Sequence, residues 1–101
     1  MIVTLCGSVA HPDLIREAAR HHTLDGHLVF APEPMTAPLT DEQRDIMLPE
    51  VHRAKIRMSD LVVVVRKPDG SIGESVRAEV AYAESIGVHV EYYEPAGKET
   101  P

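Results

Sequence analysis

A chain of 101 residues with a formal net charge of −6 has room for one domain and too few cations to hold a nucleic-acid polymer. Its apolar content is 44% with one Phe and no Trp, so Val, Ile, Leu, Ala and Met must build the core. A small anion stays open as a partner, because a helix N-terminus holds a single phosphate through backbone N–H groups without a basic surface.

Ile2 to Cys6 is a short apolar run ending at Gly7 and Ser8, which predicts a first buried strand. Cys6 is the only cysteine, so no intrachain disulfide is expected, and its place in the run reads as a small buried hydrophobe rather than a nucleophile. The run is too short to span a membrane and no basic leader precedes it, so a cytoplasmic protein is expected. His11, Pro12 and Asp13 open a first helix, with Pro12 at its first position. Leu14, Ile15, Ala18, Ala19 and His22 follow at helical spacing until Gly26 stops it.

Leu28 to Ala31 is the second strand, and Pro32, Pro34 and Pro38 make the following segment a loop. Thr40 and Gln43 form a capping-box pattern for a second helix running to about Ser59, which Pro49 must kink or break. Met47, Val51, Ala54 and Met58 make its apolar stripe, and Leu48 and Ile56 a second one, with His52 between them. Two stripes predict packing on the sheet and on another subunit, hence a homodimer or higher homo-oligomer.

Leu61 to Val65 is five consecutive branched apolar residues, a strand buried on both faces. A turn at Pro68, Asp69 and Gly70 follows, then a third helix capped by Ser75 and ended by Gly87. Val88 to Tyr92 is the last strand. The domain is expected over residues 1–94, with 95–101 a polar tail.

The alternation of strands and helices predicts a single-domain α/β fold of flavodoxin/Rossmann-like type: an open parallel four-stranded sheet, order 2-1-3-4, with helices on both faces. In such sheets ligands bind outside the carboxyl ends of the strands. The loops from Gly7 to Pro12, Ala31 to Leu39 and Arg66 to Ser75 meet there.

Glu79 is the residue that breaks the pattern. At ~100° per residue it falls inside the apolar arc of Val76, Val80, Ala83 and Ile86. A carboxylate there is either paired structurally, with free N–H groups or an arginine, or opens into a cleft as a nucleophile or general acid/base. Gly73, Glu74 and Ser75 ahead of it are either an anion seat at a helix start or simply a turn, and Gly7 with Ser8 falls on the same rim. The spacing fits neither a Walker loop nor a dinucleotide fingerprint. The six histidines have no metal-ligand spacing, and neither a metal nor a cofactor is expected.

Ser75, Glu79, Tyr82, Ala83 and Gly87, after a strand that follows Ile56, Ser59 and Asp60, resemble the nucleoside 2-deoxyribosyltransferase superfamily. Lys55 with Ile56, Ser59 with Asp60, and Ile72 to Ser75 resemble its short phage and bacterial members more specifically. The motifs occupy residues 52–87, and the order of elements extends the likeness along nearly the whole chain. The resemblance implies an N-glycosidase on a small-molecule nucleotide or nucleoside, with Glu79 attacking C1′. It implies His52 or Tyr82 as an assisting group, and Gly7, Ser8, Gly73, Glu74 and Ser75 around the sugar-phosphate. His52 stands where that family commonly has an aspartate. Transferases of the family complete their site with a neighbour's C-terminal segment, which a tail ending at Pro101 does not offer, so hydrolysis is expected over transfer. The other reading of the same site is a non-catalytic nucleotide-binding protein.

Overall fold

The computed structural model describes residues 1–33 and 37–95. Part of the proline-rich loop and nearly all of the predicted tail lie outside them. Four strands, β1 (Ile2–Gly7), β2 (Leu28–Phe30), β3 (Leu61–Val65) and β4 (His89–Tyr92), form one sheet in the order β2-β1-β3-β4. Every pairing is parallel, as expected. Three helices connect them: α1 (Pro12–Leu24), α2 (Leu48–Arg57) and α3 (Glu74–Ser85).

The pleat sorts the core into two layers. Val3 and Leu5 of β1 and Leu61, Val63 and Val65 of β3 face Ile15 and Ala18 of α1. On the other face Cys6, Val62 and Val64 meet Ile56 of α2 with Val76 and Ala83 of α3. β3 is buried along its whole length because both of its faces are covered. The chain winds outward from β1 to β2, then crosses back to β3. The order therefore reverses between β1 and β3, and their carboxyl ends flank the crevice of a doubly wound sheet.

Local chemistry explains the joints. The capping box forms: the Gln43 N–H donates to Thr40 Oγ1 at 3.1 Å, and the Thr40 N–H donates to Gln43 Oε1 at 2.9 Å. The end of α2 is pinned to β1 by the motif residues Ser59 and Asp60. Ser59 Oγ donates to the Lys55 carbonyl at 2.7 Å and also bonds the buried Thr4 hydroxyl. The Asp60 carboxylate accepts from the Ile2 N–H at 2.8 Å.

Three expectations are corrected. Ser75 is not the cap of α3: Gly73, in extended backbone, precedes a helix that begins at Glu74, which puts Ser75 inside the first turn. Pro49 was expected to kink or break the second helix, and regular α-helix does begin only at Leu48, with Pro49 in its first turn. A π-helical turn over Gln43–Met47 precedes α2, with the Leu48 N–H reaching back to the Gln43 carbonyl. That wider turn accommodates a residue with no N–H to give and a ring that would strike the carbonyl four residues earlier.

The other two corrections concern the apolar faces of α2 and α3. Ile56, assigned to a subunit contact, is fully buried on the sheet, while Met47, Val51 and Met58 are exposed, as is Ile46 of the π turn. The sheet-facing side of α2 carries His52 and Ile56, and Ser59 just past its end turns the same way, because they must serve the site described next and the buried Thr4 hydroxyl. Ile86, placed in the buried arc of α3, is also exposed, since it terminates the helix.

Candidate active site

A cleft of about 660 Å³ opens where the β1–β3 crevice was expected. Gly7 at the end of β1 and Ser8 after it, Gly73 and Ser75 at the start of α3, and His52 and Glu79 line it. Each of these was singled out in the sequence. Tyr82 and Glu74 are not among the lining residues. The Tyr82 hydroxyl accepts a bond from Arg57 at 3.0 Å, and Glu74 is exposed in the first turn of α3.

Glu79 lies one turn into α3 on the inward face shared by Val76 and Ala83, with its side chain 25% exposed. Burial raises its carboxyl from the ordinary 4.5 to about 7, against a smaller lowering from a hydrogen bond with Cys6. His52, one turn before Ile56 on the inner side of α2, brings Nε2 to 3.5 Å from Glu79 Oε1. Burial, helped by the charge of Lys55, lowers its imidazole to about 4. That separation is an ion pair's, yet burial favours the uncharged form of both partners. Between about pH 4 and 7 the pair carries one proton, held as neutral carboxylic acid beside neutral imidazole.

Cys6 closes the group from beneath. Its Sγ lies 3.3 Å from the same His52 Nε2, and burial, followed by the charge and hydrogen bond of Glu79, pushes the thiol well above its usual range. It is an inert thiol as a nucleophile, as its place in β1 implied. Its partnership with His52 and Glu79 was invisible in the sequence, because these residues come from three separate elements.

The glycines play different parts. A Cβ at Gly7 would meet the Val65 carbonyl at 3.1 Å and Val65 Cβ at 3.2 Å, so Gly7 lets β1 approach β3. A Cβ at Gly73 would meet only the Lys67 ammonium, at 3.8 Å, and Lys67 Cε, at 4.0 Å, and its backbone is ordinary. The missing side chain at Gly73 therefore leaves room in the cleft. Ser8 Oγ accepts from the Ala10 N–H at 3.2 Å, which shapes the turn into α1 and leaves its proton free for a ligand.

Three cations stand on the cleft wall, of which the sequence reading named only Lys55, as a motif residue and not as a site residue. Lys55 donates to the Ala31 carbonyl at 3.1 Å, tying α2 to the end of β2. Arg44, in the π turn, is held by Asp41 and Asp45. Lys67 has no salt bridge among the described residues and stands beside Gly73. Only the side of the chain on which these residues emerge distinguishes them from other surface cations.

A smaller cavity of about 340 Å³ lies on the α1 face beside Leu14, Val65 and Tyr93, away from Glu79 and His52. No helix among the described residues is long and apolar enough to cross a membrane. Comparisons with protein-family models, with curated proteins and with solved structures gave no match.

Proposed function

We propose that the chain is an N-glycosidase that cleaves the base–sugar bond of a nucleotide or nucleoside, with Glu79 as nucleophile. The observation that supports this reading most is the Glu79 carboxylate on the wall of the crevice at the strand ends, desolvated but open to a ligand. A Glu79 oxygen bonds to C1′ as the C1′–N bond breaks, and the base leaves with that electron pair and takes a proton from water. A second water then attacks C1′ and frees the carboxylate.

His52 is neutral at the pH where Glu79 is ionised, so it is not an imidazolium acid there. It is a positioning residue, its Nε2 packed 3.5 Å from the carboxylate. Lys67, Gly73, Ser75 and Ser8 gather an ammonium, free space and hydroxyls where a sugar-phosphate would lie. The reading puts the reaction in the cytoplasm, where a lone thiol such as Cys6 stays reduced.

A second reading, a nucleotide-binding protein without turnover, is favoured by one observation: the Tyr82 hydroxyl is bound to Arg57 rather than turned into the cleft. Incubation with a panel of ribo- and deoxyribonucleosides and their monophosphates, scored for free base, separates the two. Wild type should release base, and Glu79→Gln should be slower by at least about a thousandfold with its fold intact. Equal rates in the two proteins would end the nucleophile assignment, and ligand binding without release by wild type would establish the second reading.

A further inference from the structure

We propose that Cys6, His52 and Glu79 together form a binding site for a thiophilic divalent cation of the Zn²⁺ class. It is the one such cluster among the described residues, with three donor atoms within 4.8 Å of one another. The donors come from β1, α2 and α3, so the fold itself assembles them.

The geometry of approach separates this reading from a nucleophilic relay. In a thiol–imidazole–carboxylate relay, the thiol and the carboxylate bond opposite ring nitrogens. Here Cys6 Sγ and Glu79 Oε1 approach the same nitrogen, His52 Nε2, at 3.3 and 3.5 Å. Convergence of three lone-pair atoms is the arrangement of ligands around a common ion. Bonds of about 2.0–2.3 Å in a tetrahedral zinc site give ligand-to-ligand separations of roughly 3.3–3.8 Å. Both of these separations, 3.3 and 3.5 Å, fall in that interval.

Donor chemistry narrows the ion. A sulfur beside an imidazole nitrogen favours Zn²⁺ and its neighbours over Mg²⁺ or Ca²⁺, which take oxygen ligands. His52 and Glu79 line the cleft and Cys6 lies beneath them, so an ion enters from the cleft. Three protein ligands then leave a fourth position on that side for water or a ligand atom. On binding, the sulfur–metal bond replaces the sulfur–hydrogen bond and the proton passes to bulk water, with no change of oxidation state. The proposal does not depend on glycosidase activity. An ion held by Glu79 would occupy the oxygens that attack a sugar, so the two occupants exclude each other.

Co²⁺ is the probe. Metal-free protein titrated with Co²⁺ alone should show, at one equivalent, a near-ultraviolet thiolate-to-cobalt charge-transfer band and the intense visible bands of a four-coordinate ion. One equivalent of Zn²⁺ should bleach both. Cys6→Ser should lose the charge-transfer band. Because a hydroxyl at that buried position could unfold the sheet, Glu79→Gln, on the cleft wall, provides the second arm. It keeps the thiol and should weaken Co²⁺ binding by at least about tenfold. Visible bands without charge transfer would place the ion on exposed histidines and overturn the proposal. So would a wild type with no bands at all, or a Glu79→Gln titration that superimposes on wild type.

Discussion

Glu79 and His52 titrate against each other, and the signs can be worked out. The folded protein binds the Glu79 proton more tightly than the unfolded chain does. The stability from this group is therefore complete below pH 4.5 and is lost as pH rises through about 7. His52 acts oppositely, because the unfolded chain takes up its proton first. Its stability is complete above 6.5 and is lost as pH falls through about 4. Where the windows overlap the slopes cancel, and the wild type is insensitive to pH through this pair. Each variant should expose one arm in chelator-containing buffer. Glu79→Gln should lose stability toward acid and His52→Gln toward alkali, each by a few kcal/mol at most. Parallel melting curves for all three proteins across that range would rule the pair out. Base release should also rise with pH through about 7, since only the ionised carboxylate attacks. Of these residues Glu79 was legible, because a charge inside an apolar arc contradicts its helix. His52 and Cys6 were read singly, since no local pattern joins residues 46 positions apart.

At the scale of elements, the π turn and Pro49 act as a unit. The turn absorbs a residue that a regular helix rejects, and in doing so sets the rotation at which Arg44 faces the cleft. Pro49→Ala restores an N–H and removes the clash, so the segment should relax to regular α-helix. The melting temperature should then rise, by a stabilisation below about 3 kcal/mol, while ligand affinity falls as Arg44 rotates away. A melting temperature that is unchanged or lower would show that the turn has another cause. All four strands and the capping box were readable because branched apolar runs and a Thr/Gln pair three residues apart have local causes. The stripes of α2 were inverted for the opposite reason. Periodicity assigns apolar residues inward, and this helix turns His52, and the residue Ser59 just past its end, to the sheet.

For the whole molecule, that inversion moves the exposed apolar surface, and with it the place where a subunit contact would form. Ile46, Met47, Val51 and Met58 are 64%, 51%, 46% and 63% exposed, a run of large apolar side chains along the π turn and α2. We propose a second copy presenting the same stripe, in a symmetric pair, as the partner it would fit. Light scattering should give twice the 11.1 kDa of one chain, and Val51→Glu with Met58→Glu should halve it. A mass of one chain for wild type at micromolar concentration would refute the pairing. Val51 also lines the cleft, so the partner would stand at its mouth.

The sheet order also separates the sequence of synthesis from the sequence of assembly. β1 is central, yet its register with β3 joins Val3 to Leu61, 58 residues apart. At about 5–20 residues per second, β1 leaves the ribosome roughly 3–12 s before that partner exists. During that interval Val3, Leu5 and Cys6, which end with no exposure at all, have only the three-residue β2 to pair with. A nascent chain halted before Leu61 would therefore carry an unburied apolar strand, and would be a substrate for chaperones and proteases that the finished domain escapes.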